Sequence, residues 1–236
     1  MAVICPFKGL RYNTQKINLE EIITEPYDRI TPSMQEDYYQ RNPYNVVKVI
    51  LGKDDEPGHP EKDKYRRAKI YLDQWQKEGV LIREDSEALY IYEQEFSVGV
   101  ERKKRMGLIA RVKLADFSSR MVLPHEKTFP KHKEDRLKLL KATKTNTEQI
   151  FLLYEDDKRG VTQAVGDALK KAQLGAEVKD EDSFIHRLWI IKEKPAIKKI
   201  QKAMARKVLV IADGHHRYET SLNYQKEMLK EVKEVK

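Results

Sequence analysis

Chemistry in this chain concentrates where an apolar run, Lys207-Val208-Leu209-Val210-Ile211-Ala212, ends in Asp213-Gly214-His215-His216-Arg217. A strand that turns through glycine into a helix leaves the first backbone N–H groups without intrahelical acceptors. The helix dipole adds partial positive charge, so anions settle at such starts. Gly214 lets the backbone come close to a phosphate. Arg217 offers a planar fork of donors to phosphate oxygens, and His215 or His216 can donate to them as well. Asp213, at the strand end, can hold Mg²⁺ or a substrate group. The plainer alternative makes Asp213 a helix cap and leaves both histidines as surface residues. A second signal is Pro124-His125-Glu126, which follows a loop. A carboxylate at the end of a rigid segment can act as a general base when its surroundings tune it. Standing alone, the tripeptide reads better as an exposed loop glutamate.

Other chemistries find less support. Cys5 is the single cysteine and the histidines are scattered, so zinc-ligand spacing is missing. His215 and His216 are adjacent and cannot both ligate from one helical face, unlike residues four apart. His59 and His186 have no evident partners in the sequence. Walker loops, dinucleotide fingerprints and kinase signatures do not occur. The stretch from Lys127 to Lys144, with Lys133, Arg136, Lys138 and Lys141, can attract a polyanion but reads better as a solvated helix face. Lys192 to Lys207 reads the same way, and neither stretch interleaves aromatics as a single-strand platform does.

Several elements must position these groups. Thr31-Pro32 predicts an N-cap with proline in the first turn, stopped at Asn42-Pro43. Val46 to Leu51 predicts a short buried strand, and Asp54 to Pro60 a polar loop. Tyr65, Ala68, Leu72 and Trp75 share a helical face that Gly79 ends. Ala88 to Phe96 alternates in period two, and Gly107 to Leu114 is its expected partner across a basic turn, Arg102 to Arg105. Ile150 to Tyr154 predicts another strand. Val161, Ala164, Val165, Ala168, Leu169 and Ala172 predict a helix closed by Gly175. Arg187 to Ile191 predicts a strand, Pro195 opens a helix, and Lys207 to Ala212 leads to the final helix. That helix carries Tyr218, Ser221, Leu222, Gln225 and Leu229 on one stripe. Hairpin strands mixed with helices imply an α+β fold, a mixed or antiparallel sheet with flanking helices.

The chain has 236 residues, 36% of them charged, with a net charge of +8. One large domain or two small ones fit this length, and the excess of basic residues leans toward anionic partners such as nucleotides. The charge cluster from Arg83 to Glu87 suggests a boundary, giving an N-terminal α/β segment over 1–86 and a core over 87–236. One cysteine fits a reducing compartment, and no apolar run approaches the roughly 20 residues of a membrane span. These features imply a soluble cytoplasmic protein without a signal peptide. The final helix runs into Lys and Glu with no closing element, as in a piece of a longer chain.

Glu25-Pro26-Tyr27-Asp28, Asn42-Pro43-Tyr44-Asn45-Val46-Val47, Gly107-Leu108-Ile109-Ala110-Arg111-Val112, Leu123-Pro124-His125-Glu126-Lys127-Thr128 and Ile211 to Tyr218 follow one another along nearly the whole chain. In this order they resemble the domain of unknown function 1015 family, whose members are usually considerably longer. That family in turn resembles the ParB/sulfiredoxin superfamily, which implies a phosphate-handling core in the C-terminal part. The pair formed by Pro-His-Glu and a later Asp-Gly-His-His-Arg is similar to that of ADP-dependent free-serine kinases. The resemblance implies that Glu126 deprotonates an acceptor hydroxyl. It also implies that Asp213, Gly214, His215, His216 and Arg217, with His125, handle phosphate, Asp213 doing so through Mg²⁺. Sulfiredoxin chemistry itself is excluded, because His215 stands where that enzyme has its reactive cysteine. Asp28 takes a structural or binding role. The implied activity is phosphoryl transfer from ADP or ATP to a small hydroxylated metabolite, with free L-serine favoured. A non-catalytic nucleotide-binding module is the alternative, and nucleic-acid binding ranks last.

Overall fold

The computed structural model describes residues 2–126 and 130–234. Lys127 and Thr128 of the fourth motif lie outside them. In chain order the strands and α-helices are β1 (Ile4–Cys5), β2 (Leu10–Tyr12), α1 (Pro32–Arg41), α2 (Val47–Ile50), α3 (Lys64–Lys77), β3 (Leu81–Arg83), β4 (Leu89–Val98), β5 (Glu101–Ile109), β6 (Arg111–Val112), β7 (Val122–Leu123), α4 (Pro130–Thr143), β8 (Phe151–Leu153), α5 (Gly160–Leu169), β9 (Gln173–Lys179), β10 (Ile185–Ile191), α6 (Lys194–Met204), β11 (Leu209–Asp213) and α7 (His215–Glu234). The fold is α+β. Among the described residues no helix is long and apolar enough to cross a membrane.

Two compact units emerge, each assembled from discontinuous segments. The first comprises Met1–Glu20, Ile82–Lys113 and Tyr154–Leu209; the second comprises Glu21–Leu81, Leu114–Leu153 and Val210–Lys236. Residues 86 and 87 fall together in the first.

The first unit is built on an antiparallel sheet of order β5-β4-β10-β9. Consecutive residues are buried at one end of each strand, Leu89, Tyr90 and Ile91 on β4 and Ile190 and Ile191 on β10, and at the strands' other ends charge replaces apolar packing. There Arg187 donates to Glu177 (2.5 Å), Glu93 (2.8 Å) and Glu95 (3.1 Å). The basic run Arg102 to Arg105 lies within β5 rather than in a turn, because Gly99, at φ +60°, makes the turn with Val100. Lys104 consequently faces Glu93 and Glu95 across the ladder. Gly175 does not close α5 either. The helix ends at Leu169 and Gly175 sits in β9, where a Cβ would lie 2.6 Å from Ile190 Cδ1. Close strand packing, not helix capping, is what this glycine serves. His186 also has partners: its Nε2 lies 2.8 Å from Asp180 and its Nδ1 2.6 Å from the Tyr92 hydroxyl.

The second unit stacks α4 against α3 and α7, beside a three-stranded sheet of order β7-β11-β8. Thr31 caps α1 as its type predicts, accepting from Met34 N–H at 3.3 Å. Ala68, Leu72 and Trp75 bury one face of α3, and Gly79 at φ +68° ends it. Tyr218 and Leu222 are buried on α7, whereas Leu229, on the same stripe, is exposed. Val46 to Leu51 departs from expectation, forming the one-turn helix α2 and not a strand. A short apolar run cannot be assigned by periodicity alone, and here Asn45 decides it. Fully buried, Asn45 accepts from Val47 N–H at 3.0 Å and donates to Glu21 O at 3.0 Å, turning the backbone into a helix.

Replacing Asn45 removes both bonds and takes the side-chain acceptor from the buried Val47 N–H. Asn45→Ala is expected to lower unfolding free energy by about 1–3 kcal/mol in urea titrations. A loss under about 0.5 kcal/mol, the scale of an ordinary surface change, would remove Asn45 from this role.

Candidate functional site

In the second unit β7 lies beside β11, so the loop leaving β7 at Pro124 and the turn leaving β11 at Asp213 are brought together. Gly214 takes φ +89°, a left-handed backbone that L side chains rarely adopt, and α7 begins at the next residue. The first helical bond runs from Tyr218 N–H to Gly214 O at 3.0 Å. The Tyr218 ring anchors this start from below: its hydroxyl donates to Ala115 O at 2.8 Å and accepts from Ala115 N–H at 3.1 Å.

His215 is only 1% exposed and is turned inward. Its Nε2 accepts from His125 N–H at 3.3 Å, so in the neutral ring the proton sits on Nδ1. That Nδ1 lies 2.9 Å from Glu126 Oε1, a close electrostatic contact off the line of a formed hydrogen bond. His125 packs edge-on against His215, ring centroids 4.5 Å apart, and its Nδ1 donates to Ile211 O at 2.5 Å. Two short segments distant in sequence are thereby clamped through one imidazole. Glu126 itself keeps 53% of its side chain exposed, so its second carboxylate oxygen can serve a ligand. His216 is half-buried and Asp28 exposed in a turn.

Arg217 folds back over Gly214, where a Cβ would come 2.7 Å from its Nη2. The same Nη2 donates to Asp213 Oδ2 at 2.6 Å. Asp213, the carboxylate expected to hold Mg²⁺, is thus neutralised by an arginine four residues on. Among the described residues no group of three potential ligands gathers, so the donor set does not by itself form a metal site. A magnesium ion held mostly by nucleotide phosphates needs fewer protein ligands.

Beyond Arg217 lie residues that sequence reasoning missed. Glu148, from the loop between α4 and β8, is 3.6 Å from Arg217 Nη1 and 3.8 Å from Arg136 Nη1, with Tyr27 N–H donating at 3.4 Å. Arg136 does not belong to a solvated helix face. It is 7% exposed, lies 3.9 Å above the Tyr27 ring, and donates to Ile50 O at 2.8 Å and to Asp135 at 2.5 and 2.9 Å. Tyr27 belongs to a recognised motif, but Glu148 stands in a polar loop with no pattern to mark it. Burial lifts the Glu148 carboxyl above its ordinary value, and Asp28 adds to this; the two arginines and the Tyr27 N–H oppose it without prevailing. These groups border an open cleft of about 350 Å³, lined also by Thr147, Thr220 and Ser221.

A family model described as "Protein of unknown function (DUF1015)" matches residues 4–236. Comparison with curated proteins and with solved structures gave no match.

The raised carboxyl makes a pH prediction. Between the ordinary glutamate value, about 4.3, and the raised native one, folded protein holds more protons than unfolded protein. Stability contributed by Glu148 therefore declines as pH rises through that window. Relative to Glu148→Gln, wild type should lose stability from about pH 4 upward and level off above the native value. Urea unfolding across pH checks this; a difference that grows in wild type's favour with pH contradicts it.

Proposed function

The chain belongs to the DUF1015 family, and we propose that this member is a nucleotide-dependent phosphotransferase acting on a small hydroxylated metabolite, with free L-serine the favoured acceptor. One observation carries the reading: Glu126 lies 2.9 Å from His215 Nδ1, at the first residue of the helix whose start is suited to phosphate. The order of the two motifs, similar to that in free-serine kinases, supports it independently. In this reading β7, β11, β8 and α7 form a ParB/sulfiredoxin-like phosphate-handling core.

Glu126 accepts the proton of the acceptor hydroxyl, while the Nδ1–H of His215 orients the carboxylate from behind. The freed oxygen attacks the terminal phosphorus of ADP or ATP, and AMP or ADP leaves with the bridging oxygen. Backbone N–H groups from Gly214 to His216 face the transferring phosphoryl, with Arg217 adding positive charge behind them. Catalysis is then mostly positioning and charge neutralisation. Asp213 would hold Mg²⁺ together with the nucleotide phosphates, and the ion would spread the phosphate charge. The reaction belongs to a cytoplasmic protein whose partners are nucleotide and small molecule, not nucleic acid.

The Asp213–Arg217 pair at 2.6 Å favours a second reading, a non-catalytic phosphate-binding module whose arginine is held in check until ligand arrives. Incubating the full chain with ADP or ATP, Mg²⁺ and pooled amino acids separates the two. The first yields a phosphorylated acceptor with AMP or ADP. The second yields nucleotide binding and no product. Glu126→Gln is expected to lower turnover about 10²- to 10⁴-fold with nucleotide affinity retained. Unchanged turnover would take Glu126 out of the mechanism.

A further inference from the structure

Arg217 is 86% buried by its side chain's 14% exposure, yet among the described residues only its Nη2 makes a hydrogen bond, to Asp213. Its Nε is buried and has no acceptor. Glu148, with 13% of its side chain exposed, accepts only one long bond, from Tyr27 N–H at 3.4 Å. The guanidinium and the carboxylate face each other at 3.6 Å, beyond hydrogen-bonding distance for a charged pair. Two buried, opposite and under-bonded charges beside a cleft are unusual, because folded proteins bond nearly all such groups. Both groups line the same open cleft, with Thr147, Thr220 and Ser221.

The arrangement selects among ligands. A simple anion suits Arg217 but meets the Glu148 carboxylate. A simple cation suits Glu148 but meets Arg217 and Arg136, the latter 3.8 Å from the same carboxylate. Only a ligand carrying both charges close together satisfies both. We propose that the cleft between Glu148 and Arg217 is a subsite for the head group of a small α-amino acid, its carboxylate on Arg217 and its ammonium on Glu148. Arg136 takes no part in contact: Ile50 O and Asp135 already hold it, and it positions Glu148. Thr147, Ser221, Leu139 and Leu140 line the remaining wall and suit a short side chain. Its role as the acceptor site rests on the phosphotransferase reading.

Calorimetric titration of the full chain without nucleotide tests the subsite, using L-serine, L-alanine, acetate, methylamine and inorganic phosphate as separate probes. Both amino acids should bind, and acetate and methylamine should bind at least tenfold more weakly. Glu148→Gln and Arg217→Lys should each weaken L-serine at least tenfold. Circular dichroism of each variant checks that it folds, and the comparison of probes on the unaltered chain holds the test open if one does not. Acetate binding as tightly as the amino acids would overturn the zwitterion assignment, as would displacement of L-serine by inorganic phosphate or absence of amino-acid binding. Amino-acid binding without phosphorylated product would sink the phosphotransferase reading and leave the subsite standing. Product formed from an acceptor lacking an ammonium would do the reverse.

Discussion

One buried imidazole organises the candidate site. His215 stands at the start of α7, takes a hydrogen bond from the His125 backbone on one nitrogen and presents the other to Glu126. An imidazole is the side chain suited to this, since in its neutral form it is a donor on one edge and an acceptor on the other. Without that bridge the loop after β7 and the turn after β11 are merely neighbours, and Glu126 is a loop carboxylate with no fixed direction. His125 reinforces the clamp by packing edge-on against His215 and tying itself to the Ile211 carbonyl. Catalytic groups held by second contacts of this kind lose little in orientation when substrate arrives.

Electrostatics then divides the region into two parts. Around His215, Nε2 takes the His125 N–H and Nδ1 lies 2.9 Å from Glu126. Around Arg217 the groups do not pair fully: Asp213 takes one nitrogen, Gly214 supplies the space beneath the guanidinium, and Glu148 waits at 3.6 Å. Burial of Glu148 is what keeps its carboxyl raised in spite of two arginines. A polar, incompletely bonded cleft beside a buried, closely packed clamp is the pattern expected of a binding site supported by a rigid neighbour.

Much of this was legible in the sequence. The α+β class followed from period-two runs mixed with helical faces, and the α1 cap from Thr31-Pro32. Asp213 to Arg217 and His125-Glu126 stood out because glycine, histidine and carboxylate cluster at an element boundary, where backbone groups are unpaired. What stayed hidden was tertiary. Nothing in Thr147-Glu148-Gln149 separates a buried glutamate from a solvated one. Arg136 sits among lysines on α4, and only the Tyr27 ring and the Ile50 carbonyl reveal why it is inside. Val46 to Leu51 failed as a strand because one asparagine side chain redirected the backbone, and Gly175 because its contact is with a neighbouring strand. Local pattern reports which residues are apolar or flexible; it does not report which distant partner will cover them.

The central claim is that Glu126 and His125 together fix the His215 ring, and nitrogen-15 NMR of the imidazole reads that directly. The geometry predicts the Nδ1–H tautomer of His215, with Nε2 showing the shift of a hydrogen-bonded acceptor and Nδ1 moving on Glu126→Gln. An Nε2–H tautomer, or an Nδ1 resonance indifferent to Glu126, would contradict it.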